Sequence, residues 1–386
     1  MTIARGRFAI ACGVAALVVL SAPFMSQIRR AIRTSFPEHF VLIVGSAIAL
    51  LIGVPLLVAL VRVRERRLLR YGALVAAVAL GVGFSMVTRQ GVPEVDVVER
   101  FHFVEFGVIT LLFYRAWRPL NDVSMFVLPV FAGLIVGTLE EWFQWFIPVR
   151  VGEMKDIFLN TAAITSGLLF SIAVDPPPAP IANARPGSVR RICHFAAVVI
   201  IVIAAFFHTV HLGHEIRDGE IGTFRSRYSA EQLARLAAHR AERWQAHPPP
   251  LTIPRLSRED QYLTESVEHA AERNNLWGEG NHAKAWLENR ILEKYFAPAI
   301  DMPSYHSKTG HRWPEEQRRN AQAALDAARA AGPDPTLTYV SDSNPAPIYT
   351  WSKSLFWMVI AWFAAMLVLL GRRAEQRAPA LTASHV

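Results

Sequence analysis

Long apolar runs, separated by short polar segments rich in arginine, make up the chain on both sides of residues 213–350. Eight of these runs have the length that crosses a hydrocarbon core as one helix, about 17–25 residues. They lie at about 8–25, 39–61, 71–87, 101–117, 123–146, 157–174, 192–211 and 351–373. The pattern predicts a polytopic membrane protein, with a short amphipathic turn at 26–39 lying in the membrane interface.

Residues 213–350 differ from the rest because their apolar positions recur at helical intervals among many charges. Four helices are predicted, and three of them follow residues that favour a helix start. Ser229 is the predicted N-cap of the first helix, and the second starts in the same way at Ser257. The third starts at His282, and the fourth has Pro314 at its first helical position and Gly332 at its end. Proline-rich stretches at 247–254 and 332–347 are predicted as loops. No β-rich run is long enough to suggest a sheet, so we predict a helical domain.

These patterns together predict an all-α fold, a bundle of about eight transmembrane helices with a helical extracytoplasmic insert between the last two. The predicted regions are spans one to three at 1–90, a core of spans four to six at 91–175, a linker with span seven at 176–212, the insert at 213–350, and span eight with a tail at 351–386. The proline-rich run at 175–186 cannot continue a helix and is predicted to be a stiff linker.

The net charge of the chain does not alter the prediction of a membrane protein. Hydrophobic residues make up 52% of the 386 positions, and the mean hydropathy is +0.24. A net charge of +8 first suggests a nucleic-acid partner. However, the insert holds 17 Lys and Arg against 19 Asp and Glu, so the basic excess lies in short loops beside the apolar runs. That distribution follows the positive-inside rule and argues against nucleic-acid binding.

The same loops predict the orientation of the chain. Those on the side of the N-terminus hold 15 Lys and Arg, whereas those on the other side hold 7. Both termini are therefore expected in the cytoplasm and the insert outside. Pro23 directly after Ser21 and Ala22 disfavours signal cleavage, so an uncleaved anchor is expected. Cys12 and Cys193 lie near the cytoplasmic ends of their spans and are expected to stay unpaired.

Ionisable residues gather at one end of spans four, five and six. Span four begins with Glu99, Arg100, His102 and Glu105, span five ends with Glu140, Glu141, Gln144 and Arg150, and span six begins with Asp156 and Asn160. Because successive spans alternate in direction, these groups converge on one face of the membrane, which is the outer face in the predicted orientation. Ionisable groups at a bilayer are costly unless paired or hydrated, so their first interpretation is functional.

The order and spacing of these residues form a pattern. It reads E-R-x-H-F-x-E-F, then E-E-x-x-Q followed by P-x-R, then D-x-x-x-N and a later glycine, and its positions are His102, Glu105, Glu141, Gln144, Arg150, Asp156, Asn160 and Gly167. In this pattern the stretch at 99–167 resembles VanZ-like membrane proteins. Phe106 stands where that family usually has a tyrosine, and Glu140 where it usually has an aspartate. The resemblance implies an integral membrane protein of the bacterial envelope, with one well-known relative linked to teicoplanin resistance, and it implies no reaction.

Within each predicted helix the polar residues are three or four positions apart and share a face. A histidine, carboxylates, an amide and an arginine suit acid–base work, ion binding or the binding of a polar head group. The candidate catalytic residues are His102, Glu105, Glu141 and Asp156, and the candidate ligand-binding residues are Arg100, Glu140, Gln144, Arg150 and Asn160. The same residues also suit a hydrogen-bonded scaffold that ties helices together.

We therefore expect a VanZ-like protein of the bacterial inner membrane that binds a cell-wall or lipid-linked precursor, or a glycopeptide, at its outer face. Membrane lipids are its other expected partners, and no cofactor is expected. Two alternatives stay open, a membrane enzyme doing acid–base chemistry on a lipid-linked substrate and a non-catalytic structural protein whose insert is an interaction surface. The sequence holds no serine elbow, P-loop or H-E-x-x-H motif that would name a reaction.

Two further groups of residues have a functional and a structural interpretation. His208, His211 and His214 lie at i, i+3 and i+6 where span seven leaves the membrane, a spacing that would suit a metal or haem iron. Interfacial histidines at a helix end are the alternative. In the insert the candidates for a cleft are Glu288, Glu293, His306 and His311. The alternative for them is the solvated face of amphipathic helices.

Overall fold

The computed structural model describes residues 4–89, 91–147, 152, 154–246, 261–304, 307 and 309–376. They form two compact units, the first within Met1–Gln144, Gly152–Phe206 and Trp357–Val386, and the second within Trp145–Val151 and Phe207–Phe356. In chain order the elements are α1 (Arg5–Ser35), α2 (Phe40–Arg62), α3 (Arg67–Val87), α4 (Pro93–Glu99), α5 (Phe101–Trp117), α6 (Ser124–Gln144), α7 (Met154–Val174), α8 (Pro186–His211), β1 (His214–Asp218), β2 (Gly222–Ser226), α9 (Ala230–Ala246), α10 (Gln261–Gly278), α11 (His282–Tyr295), α12 (Ala297–Ile300), α13 (Glu315–Ala331), β3 (Val340–Ser341) and α14 (Lys353–Gln376).

Seven of the described helices are long and apolar enough to cross a membrane, namely α1, α2, α3, α6, α7, α8 and α14. The chain is therefore a multi-pass helical membrane protein. The fourth of the eight predicted spans corresponds to α5, which has 17 residues. At about 1.5 Å per residue it is about 25 Å long, which is short for a hydrocarbon core of about 30 Å.

Helix α1 continues through most of the segment in which the sequence predicts a separate interfacial turn. That prediction is wrong, because the residues from Gln27 to Arg33 include no helix breaker and simply extend the first helix. Pro23 lies inside α1 without ending it. The helix ends only at Ser35, where Phe36 precedes Pro37, since the residue before a proline disfavours the helical conformation.

Helices α5, α6 and α7 pack against one another, and α1 packs on α5 and α6. Glycines bring the helices close together. A Cβ added to Gly167 of α7 would lie 2.7 Å from the Cα of Gly107 on α5, and a Cβ added to Gly133 of α6 would lie 2.9 Å from Cγ1 of Ile164. Such close contacts are a common way for membrane helices to associate. They make α5, α6 and α7 a tight three-helix bundle, which carries the predicted site at one end.

The other end of this bundle is tied to the chain that follows α7. Arg118 donates to the carbonyl oxygen of Pro176 at 2.7 Å and pairs with Asp175 at 3.1 Å. The carboxylate of Asp122 accepts a hydrogen bond from Ser188 at 2.6 Å. Each of these groups joins one segment to another, so the polar residues here have a structural role.

The second unit contains a small sheet that the sequence does not predict. Strands β1 and β2 form an antiparallel hairpin with His214 opposite Ser226 and Asp218 opposite Gly222. Strand β3 pairs in parallel with β2 through Val340 and Ser341. The all-α prediction is therefore wrong for the insert. The strands have only five, five and two residues, so their alternation is too short to stand out from the helical pattern around them.

The helices of the second unit agree with the predicted starts where the structure describes them. Ser229 Oγ accepts from the backbone N–H of Gln232 at 3.2 Å, and Gln232 Oε1 accepts from that of Ser229 at 2.8 Å. This reciprocal pair is a capping box for α9. Helix α11 begins at His282, as predicted, whereas Pro314 is the N-cap of α13 and not its first helical residue. The predicted start at Ser257 lies outside the described residues.

The second unit has a hydrophobic core of its own. Phe224 of β2, Tyr262 of α10, Leu287 of α11 and Leu325 of α13 are buried in one cluster of apolar residues. Burial of large apolar side chains is the main force that stabilises a domain. The described part of the insert is therefore a folded α+β domain.

Candidate functional site

Helices α5 and α6 bring together three of the residues predicted for the site. His102 and Glu105 lie one turn apart on α5, and Glu140 lies near the end of α6. One ring nitrogen of His102 and one carboxylate oxygen of each glutamate all lie within 4.8 Å of one another. Glu140 is buried, and the other two side chains are half-buried. These three residues are named the His–Glu cluster.

A glutamine holds one member of the cluster in place. Gln144 Nε2 donates to Glu140 Oε1 at 3.0 Å, and both side chains are buried. The neighbouring Glu141 is only 1% exposed, whereas Leu139 is 40% exposed, so α6 directs its carboxylates into the protein. The sequence favoured Glu141 as catalytic and Glu140 as ligand-binding. In the described structure it is Glu140 that joins His102 and Glu105.

Asn160 of α7 lies beside this part of α6. It packs against Gly137, where an added Cβ would lie 3.1 Å from Asn160 Nδ2 and 3.2 Å from Phe106 Cε1. Gly137 precedes Glu140 and Glu141 by one helical turn. Asn160 is 1% exposed, and neither its Oδ1 nor its Nδ2 has a hydrogen-bond partner among the described residues. An unsatisfied buried polar group costs roughly 1–3 kcal/mol, so such an amide is typical of a site that takes water or a ligand.

Phe106 is one of the two positions at which the sequence departs from the VanZ-like pattern. Its ring is fully buried and stacks with the ring of His102, with centroids 6.1 Å apart and planes 11° from parallel. A phenylalanine keeps the aromatic surface of the usual tyrosine and lacks its hydroxyl group. Phe106 therefore makes an apolar contact with the imidazole.

Electrostatics limits the states that the cluster can adopt. The ligand oxygens of Glu105 and Glu140 lie within 4.8 Å. Two negative charges at that separation repel by at least about 3 kcal/mol at an effective dielectric constant of about 20. Neutralisation by a proton, a metal ion or a cationic side chain removes this repulsion. The arrangement is thus suited to bind a cation or to move a proton.

The remaining candidates occupy different positions. Asp156 is half-buried in the first turn of α7. Arg100 is exposed between α4 and α5, where it lines a neighbouring pocket with Asp96 and Glu99. Among the described residues, Arg100 makes no ion pair with the His–Glu cluster. Arg150 lies outside the described residues.

Gly152, two residues before α7, lies close to the end of α6. Gly152 is buried against the backbone carbonyl of Glu141, at a place where any Cβ would collide with that oxygen. The same Cβ would lie 3.5 Å from Cε2 of Phe206. Only glycine fits here without a backbone shift. The absence of a side chain at Gly152 therefore allows its backbone to approach the carbonyl of Glu141.

The three histidines near the end of α8 have separate surroundings. His211 Nδ1 lies 2.9 Å from the carbonyl oxygen of Pro347. His214 belongs to β1, and its Nε2 lies 3.3 Å from Nζ of Lys353. Burial, and then the charge of Lys353, lowers the pKa of His214 below its usual value. Among the described residues, His208, His211 and His214 do not form a group of possible metal ligands. The structure therefore does not support the interpretation of their spacing as a metal site.

The second unit has a buried acid–base pair. Glu288 and His269 are both fully buried, and Glu288 Oε2 lies 2.7 Å from His269 Nδ1. Tyr339 donates its hydroxyl to Glu288 Oε1 at 2.5 Å. Burial alone would raise the pKa of Glu288, but the charge of His269 and the hydrogen bonds outweigh burial and hold this pKa below its usual value. Glu288 therefore belongs to the core, and the prediction of a solvated face is wrong for this residue.

A second buried carboxylate, Glu265, fixes the end of β2. It accepts hydrogen bonds from Ser226 Oγ at 2.5 Å and from Arg227 Nε at 2.9 Å. The guanidinium of Arg227 lies 4.5 Å from the centre of the Trp145 ring, and Gln261 donates to the carbonyl oxygen of Trp145 at 3.2 Å. These contacts hold the residue that follows α6 within the second unit.

The other insert residues proposed for a cleft are engaged in local contacts. Glu293 accepts hydrogen bonds from Arg290 and Arg318, each at 2.7 Å. Burial alone would raise the pKa of Glu293, but the hydrogen bonds and charges of these arginines hold this pKa below its usual value. His311 Nε2 lies 3.0 Å from Ser304 Oγ. The remaining candidate, His306, lies outside the described residues.

Comparisons of the chain with protein-family models, with curated proteins and with solved structures give no match. The fold and the site define a multi-pass helical membrane protein with a His–Glu cluster at one end of a three-helix bundle. The resemblance to VanZ-like proteins stays a prediction that rests on the residues of the pattern.

Proposed function

We propose that the protein is a VanZ-like membrane protein of the bacterial envelope that binds a lipid-linked cell-wall precursor, or a glycopeptide, through the polar end of α5, α6 and α7. The observation that carries the proposal is the His–Glu cluster, in which ligand atoms from two helices lie within 4.8 Å. Glu141 and Asn160, both 1% exposed, extend the polar surface. Ionisable residues at a membrane boundary are typical of substrate or ion sites.

The amide of Asn160 favours a ligand site over a scaffold at the polar end of α5, α6 and α7. At the site end two carboxylates and an imidazole converge, and the nearby Asn160 has no hydrogen-bond partner in the described structure. Convergent polar groups beside an unsatisfied buried amide are more typical of a ligand site.

The proposal includes an orientation. The arginine-rich loops favour both termini in the cytoplasm of the bacterial inner membrane. With α5 as a short eighth span, the polar ends of α5, α6 and α7 face outward, as does the insert. A lipid-linked precursor exposed on the outer leaflet would reach the cluster from that side.

Lipids that co-purify with the protein test the proposal. The wild-type protein, purified from bacterial membranes in mild detergent, should carry a polyprenyl-phosphate-linked precursor that native mass spectrometry detects. Glu141→Gln should lose that lipid, because it removes a buried charge without changing shape. Glu94→Gln is the matched control, since Glu94 lies on α4 outside the cluster. Equal lipid content in all three proteins, or ordinary phospholipid alone in the wild type, would reject the lipid-linked precursor as the ligand.

An enzymatic function is the second candidate, and the adjacency of an imidazole to two carboxylates favours it. Groups at this separation can pass a proton to or from a substrate hydroxyl with little side-chain movement. An enzyme should convert the precursor to a product of different mass, and Glu140→Gln should stop this conversion while the precursor still binds. A protein that only binds would return the precursor unchanged.

A further inference from the structure

We infer that the His–Glu cluster is a binding site for one divalent metal ion of the zinc, manganese or iron(II) type, with His102, Glu105 and Glu140 as its protein ligands. The inference deepens the proposed function, on which it rests, because it names what the polar pocket holds. It follows from the geometry of the three donors, from their chemistry and from the groups around them.

The geometry is close to that of a coordinated ion. The three donor atoms lie within 4.8 Å of one another. Donors around a tetrahedral Zn²⁺, with bonds of about 2.0–2.2 Å, are about 3.4 Å apart. Closing the cluster around an ion therefore needs side-chain movements of the order of 1 Å. His102 and Glu105 share one face of α5, and Glu140 approaches from α6, so two packed helices set the positions of all three donors.

The donor set selects the class of ion. One imidazole and two carboxylates suit zinc, manganese and iron(II), whereas calcium and magnesium prefer oxygen donors alone. A divalent ion also removes the repulsion between the carboxylates of Glu105 and Glu140. Three protein ligands leave at least one coordination position open, as in catalytic zinc sites. A phosphate oxygen of a lipid-linked precursor is a suitable ligand for that position.

Two neighbouring residues support a ligand at this place. Gln144 donates to Glu140 Oε1, an outer contact of the kind that orients metal-binding carboxylates. Asn160 is an independent observation, since it is 1% exposed and both of its amide atoms are without hydrogen-bond partners among the described residues. It lies against Gly137, one turn from Glu140 on α6. A water or phosphate oxygen bound to the ion would give this amide a partner.

Metal binding to the full-length protein tests the inference. The protein is purified in detergent, stripped with a chelator and titrated separately with Zn²⁺, Mn²⁺ and Fe²⁺. We expect one ion per chain for at least one metal. His102→Gln, Glu105→Gln and Glu140→Gln should each lower the affinity for that metal by more than the about 10- to 100-fold loss that a typical outer-shell change causes. Glu94→Gln should bind as the wild type does. The inference would be overturned if the wild type bound no metal stoichiometrically, or if the three cluster variants bound the metal as tightly as the wild type does.

Two further measurements keep the result interpretable. If a glutamine variant does not fold, the stripped wild-type protein replaces it, and its melting temperature should rise when the metal is returned. Unchanged melting temperature and no uptake would contradict the metal site. Binding of the precursor is then measured with stripped and reloaded protein. Precursor binding without metal uptake would defeat this inference alone, and metal uptake without precursor binding would defeat the proposed function alone.

Discussion

Gln144 donates from Nε2 to Oε1 of Glu140 across 3.0 Å, and this bond joins two buried side chains one turn apart on α6. If Glu140 binds a metal ion, Gln144→Leu removes the group that orients this ligand and keeps a similar volume. The affinity for the ion should then fall by about 10- to 100-fold, the typical effect of an outer-shell change. Titration of the stripped variant measures it, and an affinity equal to that of the wild type would show that Gln144 has no orienting role.

The crossing of α5 and α7 makes a prediction for stability. In Gly167→Ala the new Cβ would lie 2.7 Å from the Cα of Gly107, a backbone atom that cannot rotate away. Overpacking of this kind should cost about 1–3 kcal/mol. Gly83→Ala in α3 is the matched control, because no atom lies within 4 Å of its added Cβ. Thermal unfolding in detergent should show a lower melting temperature for the first variant and no loss for the second; equal values would refute the tight crossing.

Arg225 of β2 and Arg227 just after it form ion pairs that differ in burial, so their removal should differ in its cost to stability. Arg227→Met would leave the carboxylate of Glu265 fully buried without its ion-pair partner, which should cost about 3–5 kcal/mol. Arg225→Met removes an ion pair with Asp342, whose side chain is 61% exposed, and should cost less than about 1 kcal/mol. Limited proteolysis of the insert compares the two variants. Equal resistance would mean that the pair with Glu265 does not support the domain.

The buried pair of Glu288 and His269 predicts a pH dependence. The pKa of Glu288 is lower in the folded protein than its unfolded value of about 4.3. Its contribution to stability is therefore complete above that unfolded pKa and is lost as the pH falls through the folded pKa. Glu288→Gln should destabilise the insert most near neutral pH, and the difference from the wild type should narrow in acid.

Proteolysis of the insert at pH 7 and, with an acid-active protease, at about pH 2 measures this effect. Glu242→Gln provides the control, because Glu242 is an exposed residue of α9. It should behave as the wild type at both pH values. A difference for Glu288→Gln that is the same at both pH values would show that the charge of the carboxylate is not what stabilises the core.

Helix α5 decides whether the chain has an odd or an even number of spans. Its 17 residues are few for a span, but α6 and α7, which pack against it, are long and apolar. If α5 crosses the membrane, reporters fused to the N-terminus and to the C-terminus should report the same compartment. A reporter inserted at Gly332 should report the opposite one. Termini in different compartments would show that α5 does not cross and would reverse the proposed orientation of its polar end.

The helices of the membrane part are predictable from the sequence because their apolar runs are long. The insert sheet is not, since β1 and β2 have five residues each and their partner β3 has two. A signal does exist, because Ile216, Ile221 and Phe224 are buried on either side of the turn that contains Gly219. It is weak beside the helical periodicity of the rest of the insert.

The candidate site is also only partly predictable from the sequence. The sequence places His102 and Glu105 on one helix face, and the structure confirms that their ligand atoms lie together. Whether Glu140 or Glu141 joins them depends on the rotation of α6, because adjacent helical residues point about 100° apart. That rotation is set by contacts such as those of Gly133 and Gly137 with α7, which no single-helix pattern reveals.

The most direct test of a ligand site at the end of α5, α6 and α7 compares precursor binding with stability for His102→Gln and Glu140→Gln. Both proteins and the wild type are titrated with a polyprenyl-phosphate-linked precursor in nanodiscs, and their melting temperatures are measured in the same lipid. If the cluster binds a ligand, binding should fall at least about tenfold while the melting temperature changes little, since hydrogen bonds in membranes are worth only about 1 kcal/mol. Undiminished binding together with a clearly lowered melting temperature would show that these residues only hold the helices together.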